Sequence, residues 1–184
     1  MKILFVAVST LFISMQAFSQ DSLKTQTEHK KSRFWHNSET GFSVGNANYF
    51  SNGFHFQTIN GFRVYKNAYL GLATGLDMYR DATLLPVLLH ARWDFLPEKK
   101  ISPYIGVSGG RTLGLTKMDN IYSLKGGFTG EISTGFKVNR GNGTGYTFSL
   151  GYRYQKFQEK WNIGGERTTD YGLNRFVIRT GFFF

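Results

Sequence analysis

Ten ionisable side chains, Asp77, His90, Arg92, Asp94, Lys125, Glu131, Lys137, Arg153, Arg175 and Arg179, stand in segments where polar and apolar residues alternate. Acids and bases at that spacing can neutralise one another as a buried plug, or they can line a narrow polar path. Counting His90, basic groups outnumber acids seven to three in this set, which would bias such a path towards anions. A third chemistry is offered by His36-Asn37-Ser38-Glu39, which holds a nucleophile, a base and a carboxylate, the trio that acyl hydrolysis requires. It lies ahead of the first strand expected from the pattern, and spacing alone is weak warrant for catalysis. His55 and His90 lie within strands with no Ser two residues on, and read as polar groups of those strands. Four dispersed His and no Cys give no metal-ligand spacing, and residues 106–114 are Gly-rich without a helix to follow, so they make no phosphate loop. No catalytic residue, cofactor or metal is expected.

The elements that position these side chains are strands. Over residues 122–138, Tyr122, Leu124, Phe128, Ile132, Phe136 and Val138 share one face, while Ser123, Lys125, Thr129, Glu131, Ser133 and Lys137 share the other. Residues 83–95, 68–79, 146–154 and 173–184 repeat the period of two. Residues 41–48, 53–65 and 102–113 do so more weakly, which brings the count to eight. Tight connections at Lys66-Asn67, 96–100 and the Gly/Asn-rich 139–144 alternate with longer ones, of which 112–121 and 157–170 are the longest. The second of these loops carries Lys160, Trp161, Asn162, Arg167 and Asp170, a mixture of aromatic, amide and charged groups suited to binding.

Alternation alone does not say which face points inward, but the content of the polar face does. It carries Gly71, Ala73, Gly75, Gly127, Gly135 and Gly151 beside its charges, small residues that suit a narrow lumen. The apolar face runs for nine or more residues per strand, about what a tilted strand needs to cross hydrocarbon. Aromatics near strand ends (Tyr65, Tyr69, Tyr79, Trp93, Phe95, Tyr104, Tyr122, Tyr146 and Tyr154) read as interfacial girdles. The fold expected is all-β, an eight-stranded antiparallel up-and-down transmembrane β-barrel over 39–184.

Ahead of it, Lys2, an apolar run and Ala17-Phe18-Ser19 read as a signal peptide over 1–19, too short to span a membrane as a helix. Residues 20–38 read as a flexible periplasmic arm. The net charge of +10 invites a nucleic-acid partner, but export and the scatter of the basic residues exclude one. The absence of Cys excludes a lipid-anchored first residue and any disulfide framework.

Taken together, the leader, the eight amphipathic segments and a last strand ending in Phe184 resemble the OmpA/OmpX-like outer-membrane β-barrel domain family. The resemblance implies that Phe176, Ile178, Phe182 and Phe184 form the terminal pattern read by the barrel-assembly machinery, with Thr180 departing from it at one alternate position. It also implies a place in the cell outer membrane among outer-membrane lipid and lipopolysaccharide. A non-enzymatic envelope role, structural or through loop contacts with a protein partner of unidentified kind, is the function expected. The alternatives are a narrow anion-preferring pore, a subunit of a larger outer-membrane machine and a lipid-modifying barrel enzyme.

Overall fold

The computed structural model describes residues 33–45, 52–80, 82–118, 122–141, 143–162 and 166–184. The expected signal peptide and most of the expected arm lie outside the described residues. The strands are β1 (Phe34–Gly45), β2 (Asn52–Arg63), β3 (Ala68–Tyr79), β4 (Thr83–Asp94), β5 (Ile101–Gly114), β6 (Lys117–Met118), β7 (Tyr122–Gly141), β8 (Thr144–Asn162) and β9 (Glu166–Phe183). β6 is a two-residue rung on β7, and the other eight are the staves of a closed barrel. Each stave pairs antiparallel with the next, β5 with β7 and β1 with β9. The seam between first and last strand is sealed by reciprocal backbone bonds between His36 and Phe184, at 2.9 and 3.0 Å.

The period of two decides which way each residue faces. Leu72, Leu89, Phe128, Leu150 and Ile178 are exposed on the outside, while Asp77, Arg92, Glu131, Arg153 and Arg179 are buried within. A belt of Phe, Leu, Ile and Val turned outward, round a charged interior, is the inverse of a soluble barrel and is the surface of a barrel that crosses a membrane. A twelve-residue strand at the usual ~40° tilt rises about 30 Å, enough for the hydrocarbon layer. β1 to β4 have that length, whereas β7, β8 and β9 run to 20, 19 and 18 residues. One side of the barrel therefore stands about 20 Å taller than the other. The extra height is at the end opposite the tight turns, where Gly143 takes the positive φ of 78° that a two-stranded turn requires.

Four expectations are corrected. β1 begins at Phe34, so 34–38 belong to the barrel and not to an arm. The segments expected as the longest loops are largely strand. Lys160, Trp161 and Asn162 complete β8, Arg167 and Asp170 lie on β9, and Trp161 is opposite Arg167; likewise 112–114 end β5, and 117–118 are β6. Tyr69, Tyr79 and Tyr104 are not girdle residues, because their rings are buried in the lumen. Finally, β7 carries a bulge between Gly126 and Thr129, and the extra residue reverses the parity above it. Leu124 therefore points in, and Lys125, expected in the lumen, points out. Gly126 permits the bulge, since a Cβ there would stand 1.5 Å from the Thr112 carbonyl oxygen.

β4 contains an irregularity of its own. Its ladder with β3 runs from Ala68–Trp93 to Thr74–Val87 and resumes at Asp77–Leu84, and Pro86, which has no N–H to give, lies in the gap.

Candidate functional site

The inward residues stack in layers from the tight-turn end upward. At the bottom, Arg92 donates from Nε to Asp94 at 2.7 Å, and Lys137 donates to the other oxygen of the same carboxylate. Arg92 also lies over the Tyr104 ring at 3.7 Å, and Lys137 sits between the rings of Tyr69 and Phe183. Gly135 leaves room for this packing, because a Cβ there would meet the Tyr104 ring at 2.9 Å. Trp35, Ile59, Tyr69, Ala73 and Leu88 form an apolar cluster here, and His90 stacks on Trp35 while its Nδ1 meets Ser108 Oγ at 2.9 Å.

The middle layer is organised by Glu131 and Arg153, on adjacent strands β7 and β8 and directly opposite in register. Arg153 donates from Nε to Glu131 at 2.6 Å, from NH1 to both oxygens of Asp77 at 2.8 Å, and from NH2 to Gln57 at 3.0 Å. Three strands are thus tied to β8 by one guanidinium. Arg179 on β9 takes both oxygens of Glu131, and Glu39 stands 3.9 Å from it. Asn37 supports Glu39 at 2.8 Å, and His55 Nδ1 donates to Asp77 at 2.6 Å.

Above this, Gln155 is the hub. It donates to Asp77 and Thr112 and accepts from Tyr79 Oη and Arg175 NH1, all at 3.1 or 3.2 Å. Arg175 lies flat on Tyr79 at 3.8 Å. Near the top an apolar cluster closes the interior: Tyr79, Ala82, Leu84, Leu124, Phe157 and Leu173 pack together, Tyr171 stacks on Phe157, and Glu159 is buried one step above Phe157 on β8.

Of the ten residues read as a polar network, nine are brought into this interior, and Lys125 is not. The sequence reading left out Glu39, Gln155 and Glu159, which are buried too. Strand parity would have found them had the strands been extended to their true ends. Among the described residues, the buried full charges are five cations (Arg92, Lys137, Arg153, Arg175 and Arg179) and five carboxylates (Glu39, Asp77, Asp94, Glu131 and Glu159). The basic excess inferred from sequence vanishes because Lys125 leaves, two glutamates enter and His90, included in the sequence count, is not among the full charges.

The tetrapeptide His36-Asn37-Ser38-Glu39 is divided by the strand. Asn37 and Glu39 point in, whereas His36 and Ser38 point out, their side chains joined at 2.9 Å with His36 Nδ1 2.7 Å from Asn60 Oδ1. A nucleophile and base on one side of the wall and a carboxylate on the other make no triad. Among the described residues there is no cluster of three or more His, Asp or Glu fit to hold a metal ion. The terminal residues Phe176, Ile178, Phe182 and Phe184 all face outward. Lys160 is half-buried at the top of β8, and Trp161, Asn162, Arg167 and Asp170 are exposed around the same hairpin.

No family profile and no curated protein sequence matches the chain. Solved structures do. Neisserial surface protein A is 16% identical with a TM-score of 0.63, over 83% of this chain and 96% of that one. The outer membrane protein OprG of Pseudomonas aeruginosa is 11% identical at 0.61, over 83% and 96%. The outer membrane protein AlkL, determined in lipid bilayers, is 15% identical at 0.59, over 90% and 95%. The chain shares the fold of small outer-membrane barrels.

Proposed function

We propose that this chain is an exported outer-membrane protein that acts without catalysis, with a lumen that serves structure and an exposed hairpin wall that makes its contacts. The observation that carries this reading is the interior itself. Five cations and five carboxylates share one narrow space, and Arg153 ties β8 to three other staves. Such an interior holds strands in register and pairs most of its charges, with Arg175 held by Gln155 and the Tyr79 ring in place of a carboxylate, as suits an eight-stranded barrel filled by side chains. The end with the tight turns and the His36–Phe184 seam is then periplasmic. The tall β7–β9 wall stands outside, with Lys160, Trp161, Asn162, Arg167 and Asp170 at its top.

Outer-membrane lipid and lipopolysaccharide surround the belt in this reading, and the assembly machinery reads Phe176, Ile178, Phe182 and Phe184. The test is electrical and chemical. Purified protein in planar bilayers is expected to give no steady single-channel current and no deacylation of lipopolysaccharide. Anion-selective currents altered by Arg92→Ala or Arg153→Ala would make the lumen the functional part, and hydrolysis lost in Ser38→Ala would make the protein an enzyme.

A further inference from the structure

The outward face is not uniformly apolar. On β4, β5 and β8 its middle reads Leu85, Val87, Leu89; Ile105, Val107; and Phe148, Leu150, Tyr152. On the four neighbouring staves β9, β1, β2 and β3 it also carries polar groups, Thr180; His36, Ser38, Thr40; Thr58, Asn60; and Thr74, among Ile178, Phe182, Phe56, Leu72 and Leu76. Register makes these residues one patch: Thr40 is opposite Thr180, Ser38 opposite Thr58, Thr58 opposite Thr74, and His36 opposite Asn60. Phe34, Phe62, Phe182 and Phe184 border it below, and Phe42, Phe56 (opposite Thr40) and Ile178 above. The patch thus runs from His36, near the tight-turn end, to Thr40, Thr58 and Thr74 at the middle of their strands and Thr180 opposite Thr40, with its hydroxyl-bearing side chains set between larger ones.

Hydrocarbon cannot hydrogen-bond, so polar groups at this depth satisfy one another or wait for a partner. Part of the patch satisfies itself, through His36 with Asn60 and Ser38, Ser38 with Thr58 at 3.4 Å, and Thr40 with the His55 carbonyl at 3.3 Å. Thr74 and Thr180 make no side-chain hydrogen bond to a described residue, and Thr180 is exposed.

We infer that this band is the contact surface for a second copy of the chain within the membrane. Two copies inserted the same way round are related by a two-fold axis along the membrane normal, which brings each residue to the depth of its own twin. A lysine or a carboxylate would then meet like charge. A hydroxyl donates and accepts at once, so a Ser/Thr band is complementary to itself. Small residues also let two walls approach closely, as they do between membrane helices, where interfacial hydroxyls bond across.

The chain has no cysteine, so single cysteines report the contact cleanly. Thr180→Cys and Val107→Cys, the latter on the far wall, are refolded into phosphatidylcholine vesicles at high lipid-to-protein ratio and oxidised with copper phenanthroline. A covalent dimer is expected from Thr180→Cys and not from Val107→Cys. In vesicles carrying donor- and acceptor-labelled protein, energy transfer should show association weakened about ten-fold by Thr40→Val with Thr180→Val. Both changes are isosteric and face hydrocarbon, and heat-modifiable migration confirms that the variant folds. Equal cross-linking at both cysteines, energy transfer unchanged in the valine variant, or cross-linking in native membranes solely to a different protein would each overturn the assignment.

Discussion

Arg153 is 1% exposed and spends its donors on Glu131, Asp77 and Gln57. Replacing it with Met leaves two carboxylates facing each other across the lumen without their shared cation. The cost is expected to be about 3–5 kcal/mol, read as a shift of the urea midpoint for unfolding from vesicles. Replacing Glu131 and Asp77 by apolar residues as well should not recover that loss, because Arg179 then loses both bonds to Glu131 and keeps only Glu39, 3.9 Å away. At this scale the sequence was a good guide wherever parity held. Nine of its ten inferred network residues point inward, because a lipid-facing charge costs too much to be placed at random. It misread Tyr69, Tyr79 and Tyr104, since an aromatic near a strand end packs as well under a guanidinium as at an interface, and composition does not separate the two.

At the scale of the element, the bulge in β7 explains the one charge that went astray. The even spacing of Leu124 and Phe128 hides a residue that does not advance the pairing, and two glycines in a strand are as legible as lumen-fitting residues as they are as a bulge. Lys125→Cys is expected to react with a membrane-impermeant maleimide added to intact vesicles, and Leu124→Cys to stay unlabelled. Gly126→Val should abolish folding into vesicles. Gly109→Ala, where nothing stands within 4 Å of the added carbon, should be tolerated. The weak alternation of β1 and β2 has a physical cause as well: their outward positions carry His36, Ser38, Thr40, Thr58 and Asn60, which blur the contrast between faces.

For the whole molecule, the eight-stave topology and outward belt predict migration that depends on heating and a β-type circular dichroism spectrum in detergent. Arg at Leu72, Leu89, Leu150 or Ile178 is expected to cost roughly 2–4 kcal/mol in vesicles, and less at Phe128, which is opposite the exposed Arg111, while polar changes at Ser133 or Thr147 in the lumen also cost less. The unequal height of the staves has a further consequence. β1 accompanies β9 only as far as Gly45 opposite Arg175, yet β9 extends to Glu166. Over residues 166–174 it keeps β8 on one flank and, among the described residues, no strand on the other. The stretch of β9 above Arg175 is a row of residues that continues beyond the described part of β1 with β8 beside it, and charges along such a stretch keep a strand from templating another chain. Arg167 and Asp170 stand along that row as exposed charges that discourage such a docking. Exchanging both for threonine should turn a dispersed protein into one that seeds fibrous aggregates through its outer rim, visible as thioflavin-positive material forming while the barrel stays folded.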